Sequence, residues 1–554
     1  MCNFLKIVVF FSFTLVLSSC GISKSLHHKP NLEGFKNEVP VVKKHNDSLF
    51  SSGKNFLIKN KQQMWELHVS GDPLERGLLI GALTEQLIQK QERVFFTKIN
   101  KIVPSNFKLS LLRQFLKWYN RKLYLNVPNE YKAEIFGVSQ YASDDFDEIA
   151  PKYLRSLYLH GSHDIGHALQ DLALVGCSSM AVWGDKSEDG KLLLGRNFDF
   201  YAGDEFAEDK IIAFINPEEG HPFMMVTWGG MIGVVSGMNK EGLTITINAG
   251  KSEIPLVAKT PISIVAREVL QYATTIEEAI AIVKKREVFV SESIMIGSAN
   301  DRKAVLIEVS PDNFGVYEVQ NSNQLICSNH FQSDAFKQDK NNLEHIKDSH
   351  SKYRWDRMQE LLGEQEKMNP DKMVAVLRNK EGLDNLELGY GNEKALNQLL
   401  AHHAIVFKPE DKLVWVSSNP YQLGEFVAYD LKEIFKENST KFDVFTIDTL
   451  KIEKDDFITS KKFKDYEKYR VLDRELDVHI ENKDNISSDF IKEYQSLNPN
   501  LWIVYYKIGN YYYQKGWYKA AQIEFEKALT KEITILPKKR EIEVYLKRIK
   551  KKLI

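Results

Sequence analysis

The feature that most constrains this chain is the change of texture at Gly176 and the order of elements that follows it. CSSMAVWG, the turn DKSEDG and KLLLGRNFDF (Cys177 to Phe200) read as a β-hairpin, two strand-length apolar runs around turn residues. KIIAFIN, FMMVTW, GVVSGM and LTITINA read as further strands, the last two joined by the turn NKEG. Two helices come next, PISIVAREVLQYA and TIEEAIAIVKK, the second capped by Thr274 or Thr275 with acids in its first turn. Strands return in SIMIGSA, AVLIEV, FGVYEV and QLICSN, and AIVFKPEDKLVWVSS makes a late hairpin. Strands, a helix pair, then strands again predict a layered α+β domain whose sheets are covered by helices.

What flanks this domain differs in kind. The first residues, MCNFLKIVVFFSFTLVLSSC, hold an apolar run too short to span a bilayer, followed by a Cys where a leader would be cut. Residues 1–19 therefore read as a signal peptide. LSSC resembles a bacterial lipobox, with Cys20 as the lipidation site, which would anchor the protein to a membrane of the bacterial cell envelope. Residues 20–55 are polar and read as a tether. From there to residue 176 the pattern is mainly helical, as in LLIGALTEQLIQKQERVFFTKI and SLLRQFLKWYNRKLY. After the domain ends near residue 431, residues 432–495 are dense in charge and read as a linker or small helical connector. In 496–554, Ile508, Gly509, Tyr512, Ala521, Phe525 and Ala528 have the spacing of a tetratricopeptide repeat. A single copy needs a neighbour to dock on, and offers a candidate surface for a protein partner.

The balanced charge, 74 basic against 75 acidic residues, gives no general reason to expect nucleic acid as a partner. Of the 4 cysteines, Cys2 belongs to the leader and Cys20 to the anchor, leaving Cys177 and Cys327, which is no disulfide framework.

Cys177 opens the hairpin, and the return strand brings Arg196, Asn197 and Asp199 alongside it. Arg196 there would favour a thiolate and Asp199 would hold a cation. A nucleophilic thiol also needs a base, and an α-amino group, with an unperturbed pKa of about 7.7–8.0, serves if the chain is cut before Cys177. Gly176 suits such a cut, since glycine permits unusual backbone geometry and close approach. The plainer alternative is that Cys177 is a small buried hydrophobe. Trp183, Phe198, Phe200, Tyr201 and Trp228 lie near in sequence and are candidates to line an apolar acyl pocket. His160, His163 and His167 in LHGSHDIGH have helical spacing for a metal site, but Asp164 stands where HExxH needs Glu. The expectation is no metal and no cofactor.

GCSSMAVWG with DGKLLLGRNFDF resembles the nucleophile hairpin of the N-terminal nucleophile (Ntn) hydrolases, and within them that of acyl-coenzyme A:6-aminopenicillanic acid acyltransferase and its relatives. Bile salt hydrolases and penicillin V acylases share the Cys and GRNxD pattern more distantly. GDPLERGLLIG (Gly71 to Gly81), SGMNKEGLTITINAG (Ser236 to Gly250), CSNHF with Asn329, and YRWDR with Arg354 resemble further family segments in the same order, over roughly residues 60 to 430. The resemblance implies a four-layer αββα sandwich, preceded by a helical propeptide or α-chain (56–176) and forming the catalytic chain over 177–431. It implies self-cleavage between Gly176 and Cys177, with Cys177 as nucleophile and its freed amine as base. Arg196 and Asp199 would flank thiol and amine, Asn248 would bind the oxyanion, and Asn329 and Arg354 would complete the site. The implied substrate is a small molecule with a linear amide, its acyl group passing to water or to another amine. A non-enzymatic lipoprotein scaffold is the competing expectation.

Overall fold

The computed structural model describes residues 21–103, 105–161, 176–201, 203–251, 257–436 and 442–554. The leader, Cys20, and His163, Asp164 and His167 lie outside the described residues.

Four strands precede the first long helix: β1 (Lys43–Asn46), β2 (Leu49–Ser52), β3 (Asn55–Lys59) and β4 (Trp65–Gly71). The hairpin supplies β5 (Ser178–Val182) and β6 (Leu193–Phe198). Then come β7 (Ile211–Pro217), β8 (Phe223–Thr227), β9 (Ser236–Asn239) and β10 (Leu243–Ala249). After a helix pair follow β11 (Glu292–Ser298), β12 (Lys303–Val309), β13 (Phe314–Tyr317) and β14 (Gln324–Cys327). The last three are β15 (His403–Lys408), β16 (Leu413–Ser417) and β17 (Phe426–Asp430). They form two sheets, one of eleven strands in the order β1-β2-β3-β4-β7-β8-β9-β10-β11-β12-β13, the other of six in the order β14-β5-β6-β15-β16-β17.

The two sheets face each other. Ala181, Leu194, Ile405 and Phe407 of the smaller sheet share a core with Ile212, Met224, Val226 and Leu306 of the larger. On the larger sheet's other face, Ile245, Ile247, Ile294 and Ile296 pack under helices. These are α1 (Pro73–Ile102), α2 (Asn106–Tyr119), α3 (Asn129–Ser139), α4 (Lys152–His160), α5 (Ile262–Tyr272) and α6 (Ile276–Lys285). The smaller sheet's outer face, with Met180, Val182 and Val406, is covered by α7 (Ser351–Gly363) and α8 (Pro370–Leu377). The order is helix, sheet, sheet, helix, and it explains why the central strands are apolar on both faces. Thr275 caps α6, its hydroxyl accepting from Glu278 N while the Glu278 side chain reaches back.

The GDPLERG segment has a packing role. Asp72 and Glu75 form a capping box at the start of α1, with Pro73 at its first position. Arg76 donates to Gly71 O at 2.8 Å and to Glu134 Oε2 at 2.7 Å, and Arg267 of α5 reaches the same carboxylate at 3.2 Å. All three side chains are buried. A Cβ on Gly77 would collide with the Glu134 carbonyl, so only glycine lets α1 and α3 approach this closely.

One region differs from the sequence reading, and a second extends it. Residues 43–71, read as tether and then helix, are strands, and β4 runs parallel to β7, Trp65 opposite Ile211 through Gly71 opposite Pro217. The charge-rich stretch from 432 contains α9 (Lys461–Asn482) and α10 (Ser488–Leu497), which share one core with α11 (Trp502–Gln514), α12 (Tyr518–Leu529) and α13 (Leu536–Leu553). Within it α11 and α12 bury Ile508, Gly509, Ala521, Phe525 and Ala528. Leu399 and Leu423 of the sandwich enter the same core, so the helices are seated on it.

Candidate active site

The β5–β6 register pairs Ser178 with Asn197 and Ser179 with Arg196. Because side chains alternate, Arg196 and Phe198 point with Ser179 and Cys177 into the space between the sheets. Cys177 is a free thiol, 1% exposed. Arg196 Nη2 lies 3.4 Å from its Sγ and also donates to Ile247 O, while Nη1 donates to Ser236 Oγ at 2.6 Å and to Val235 O. The guanidinium rests over the Phe198 ring, 4.5 Å from its centroid. A cation held by so many acceptors cannot swing away from the sulfur. Burial pushes the Cys177 thiol up, the Arg196 charge pulls it down, and Asp199 raises it again.

Asp199 follows β6 and is fully buried, yet neither carboxylate oxygen has a hydrogen-bond partner among the described residues. Its backbone carbonyl accepts from Gly176 N at 3.3 Å, which places it at the Gly176–Cys177 bond. Burial pushes its carboxyl up to about 7, against the pull of Arg354 and Arg196. A buried carboxylate without donors is costly unless a cation joins it.

Arg354 of α7 approaches from the opposite side. Its Nη1 donates to Cys177 O at 2.6 Å and Ser178 Oγ at 2.8 Å, and its Nη2 to Asn329 Oδ1 at 2.6 Å. Asn329 Nδ2 donates onward to Ala249 O at 2.9 Å. Burial lowers Arg354 to about 10, which leaves it charged at neutral pH. Asn248 sits one bond further out. Its Oδ1 accepts from Ser179 Oγ at 2.8 Å and its Nδ2 donates to Ser328 O at 3.2 Å, beside the end of β14. Gly176 O accepts from Gln398 Nε2 at 3.0 Å, and a Cβ on Gly176 would collide with that amide. Close approach is thus a reason for glycine here.

The five aromatic candidates separate. Phe198, Phe200 and Trp228 stack with centroids 5.8–6.4 Å apart, and Phe200 and Trp228, with Phe206, Ile88 and His160, line a cavity beside the site. Tyr201 is not part of that lining; its hydroxyl donates to Asp204 Oδ1 and accepts from Arg470 of α9. Trp183 is elsewhere. It packs into the core between the sheets beyond Val182, at the turn end of the hairpin, so nearness to Cys177 in sequence misplaces it. His160 spends both ring nitrogens on backbone, on Ser156 O at 2.7 Å and Ile232 N at 3.0 Å, which leaves it no lone pair for a metal.

Some residues that the sequence gave no reason to single out also reach this site. Arg196 can only donate to Ser236, so the Ser236 hydroxyl is left to donate to His403 Nε2 at 2.9 Å. His403 Nδ1 then donates to His402 Nδ1 at 2.9 Å, and the remaining proton sits on His402 Nε2, buried and without a hydrogen-bond partner among the described residues. Burial and the neighbouring Arg196 and Lys210 charges hold both histidines well below their usual pKa, hence neutral. Lys210 itself is fully buried, donates to Ser417 O at 3.0 Å, and is lowered by burial to about 7.

The family model described as acyl-coenzyme A:6-aminopenicillanic acid acyl-transferase matches residues 186–420, which include Arg196, Asp199, Asn248, Asn329 and Arg354. An uncharacterized protein of Archaeoglobus fulgidus is 27% identical over 270 residues, 45% of this chain and 44% of that protein. Protein dcd1B of Dictyostelium discoideum is 22% identical over 307 residues, 51% of this chain and 57% of its own. The chain thus spans about half the length of the curated relatives it matches. Among solved structures, an N-acylethanolamine-hydrolyzing acid amidase ortholog of Caenorhabditis elegans matches at 18% identity and TM-score 0.32, over 42% of this chain and 93% of that one. A mutant conjugated bile acid hydrolase from Clostridium perfringens matches at 15% and 0.32, over 49% and 96%. Penicillin V acylase from Agrobacterium tumefaciens matches at 13% and 0.31, over 46% and 87%.

Proposed function

We propose that the protein is a cysteine Ntn enzyme that cuts itself between Gly176 and Cys177 and then transfers acyl groups from small linear amides through a Cys177 thioester. One observation carries this reading. A thiol held by a guanidinium adjoins a buried carboxylate with no donor among the described residues, at a peptide bond whose carbonyl already accepts from a side-chain amide.

In the uncut chain the Cys177 sulfur attacks the Gly176 carbonyl carbon, and Gln398 stabilises the oxygen as it gains charge. The C–N bond breaks, the acyl group moves to sulfur, and the nitrogen takes the thiol proton. Water then hydrolyses the thioester, leaving a Gly176 carboxylate and a Cys177 α-amine. Protonated, that amine is the cation Asp199 lacks. Neutral, it accepts the thiol proton when sulfur attacks a substrate amide, and it returns the proton to the leaving amine. Arg196 favours the thiolate, Asn248 is assigned to the substrate oxyanion, and Arg354 with Asn329 fixes the backbone carbonyl of Cys177. The stack of Phe198, Phe200 and Trp228 takes the apolar acyl chain. The match to an acyltransferase family model over 186–420 supports the amide and acyl chemistry. Cys20, once acylated, anchors the protein to the cell envelope.

The test is denaturing electrophoresis with intact mass of the exported protein. Two pieces whose masses add up to that of the 63.9 kDa chain less its leader, plus one water and any acyl groups on the N-terminal piece, with Cys177→Ala remaining whole, support the reading. An uncut wild type overturns it and returns the chain to the scaffold alternative. A panel of N-acyl substrates with and without an acceptor amine then separates hydrolysis from transfer.

A further inference from the structure

Between residues 93 and 129 the chain carries eight Lys and Arg and no Asp or Glu, although its charges balance as a whole. In the middle of this stretch, α2 exposes Phe107, Leu111 and Phe115, which are 80%, 64% and 44% accessible. Their spacing of four puts them on one stripe of the helix. Ile102 and Leu125, on either side of the helix, are exposed as well. A helix on a globular protein turns its apolar stripe to the core; this one presents a second stripe outward, among lysines.

The entry of the chain lies at the same place. Residues 21–28, expected to be part of a tether, are seated on the body: Ser25 is buried, Leu26 packs on the core, and the His28 ring lies 4.2 Å from that of Tyr124. A Cβ added to Gly21 would lie 3.4 Å from Arg121 Cδ, and the Arg121 guanidinium covers Trp118, at the end of α2, at 4.3 Å. Gly21, the first described residue, thus lies beside the end of this stripe.

We propose that α2 is a membrane-interface element. It lies along an anionic bilayer with Phe107, Leu111 and Phe115 among the upper acyl carbons and Lys108 and Lys117 at the headgroups. A second copy of the chain is the poorer occupant, because two such segments face to face would set like charges against each other. This surface depends neither on the chemistry at Cys177 nor on acylation of Cys20.

The test uses residues 21–554, which contain every described element and neither leader nor acyl chain, with vesicles of phosphatidylcholine alone or mixed with phosphatidylglycerol. The protein should cosediment with the anionic vesicles, less so as salt rises. Phe107→Ser/Leu111→Ser/Phe115→Ser should lower the partition coefficient at least ~10-fold with an unchanged melting curve. Lys108→Glu/Lys117→Glu should lower it too, and serves if the triple variant folds poorly. Val471→Ser/Val478→Ser, exposed on α9, should bind like wild type. No wild-type binding, undiminished binding by both α2 variants, or a dimer that the triple variant dissolves would each overturn the proposal.

Discussion

Asp199→Asn in a Cys177→Ala background isolates the cost of the unpartnered carboxylate in the uncut chain. The Asp199 carboxyl moves from 3.8 to about 7 on folding because burial penalises its anion. A group raised in this way leaves full stability below pH 4, where it is protonated folded and unfolded alike. That stability is lost as pH rises to about 7, at ~1.4 kcal/mol per pH unit. The loss levels off near ~4 kcal/mol above pH 7. Asparagine has nearly the same shape and never ionises, so it escapes this loss. Urea unfolding at pH 4 and pH 8 should therefore show the two proteins nearly equal in acid and Asp199→Asn more stable by ~3–4 kcal/mol in base. In a Cys177-containing chain the same substitution should abolish turnover of an N-acyl substrate, since the α-ammonium of the cut form loses its counter-charge. A gap independent of pH, or a less stable Asp199→Asn at pH 8, would refute the idea that this carboxylate waits for a cation.

Other substitutions separate the two chemical steps and test the frame. Gln398→Leu removes the donor to Gly176 O and should slow self-cleavage by ~10²-fold or more, followed by the disappearance of the uncut band over time. Asn248→Ala should leave cleavage in place but lower kcat on an N-acyl substrate by ~10²–10³, with KM little changed. Glu134→Gln strips the shared partner from Arg76 and Arg267, all three buried, and should cost ~3–5 kcal/mol in urea unfolding without touching the site.

How far the structure could be read from sequence depended on the range of the contacts involved. The hairpin from Cys177 to Phe198 was legible because both its strands and its turn are local, and its register follows from period two. The Thr275 cap and the outer helix pair were legible for the same reason. β4 was not, although Trp65, Leu67 and Val69 alternate with Glu66, His68 and Ser70 at the period of a strand; the run is short and gives way at once to the long helical pattern of α1, and only its place between β3 and the distant β7 makes it part of the large sheet. Likewise α9 hides an aromatic stripe, Tyr466 and Tyr469 with Leu476, inside a run of charges. At the site, Cys177, Arg196, Asn329 and Arg354 come together as one network, and Asp199 adjoins it. Trp183 fails by distance, since six residues of strand at about 3.3 Å each separate it from Cys177 by ~20 Å. Ser236, Gln398 and His403 escaped notice because no spacing links them; only the facing of two sheets does.

The parallel pairing of β4 with β7 changes meaning if the proposed cut between Gly176 and Cys177 is made. A strand buried inside one sheet then belongs to a different molecule from its neighbour, and the largest apolar core is shared by both. Folding of the mature protein becomes an association reaction. Its melting temperature should rise with protein concentration, whereas that of the uncut Cys177→Ala chain should not. Under the proposed cut, the uncut chain is the form that can refold alone, and the mature form would keep an arrangement that only a continuous chain reaches by itself.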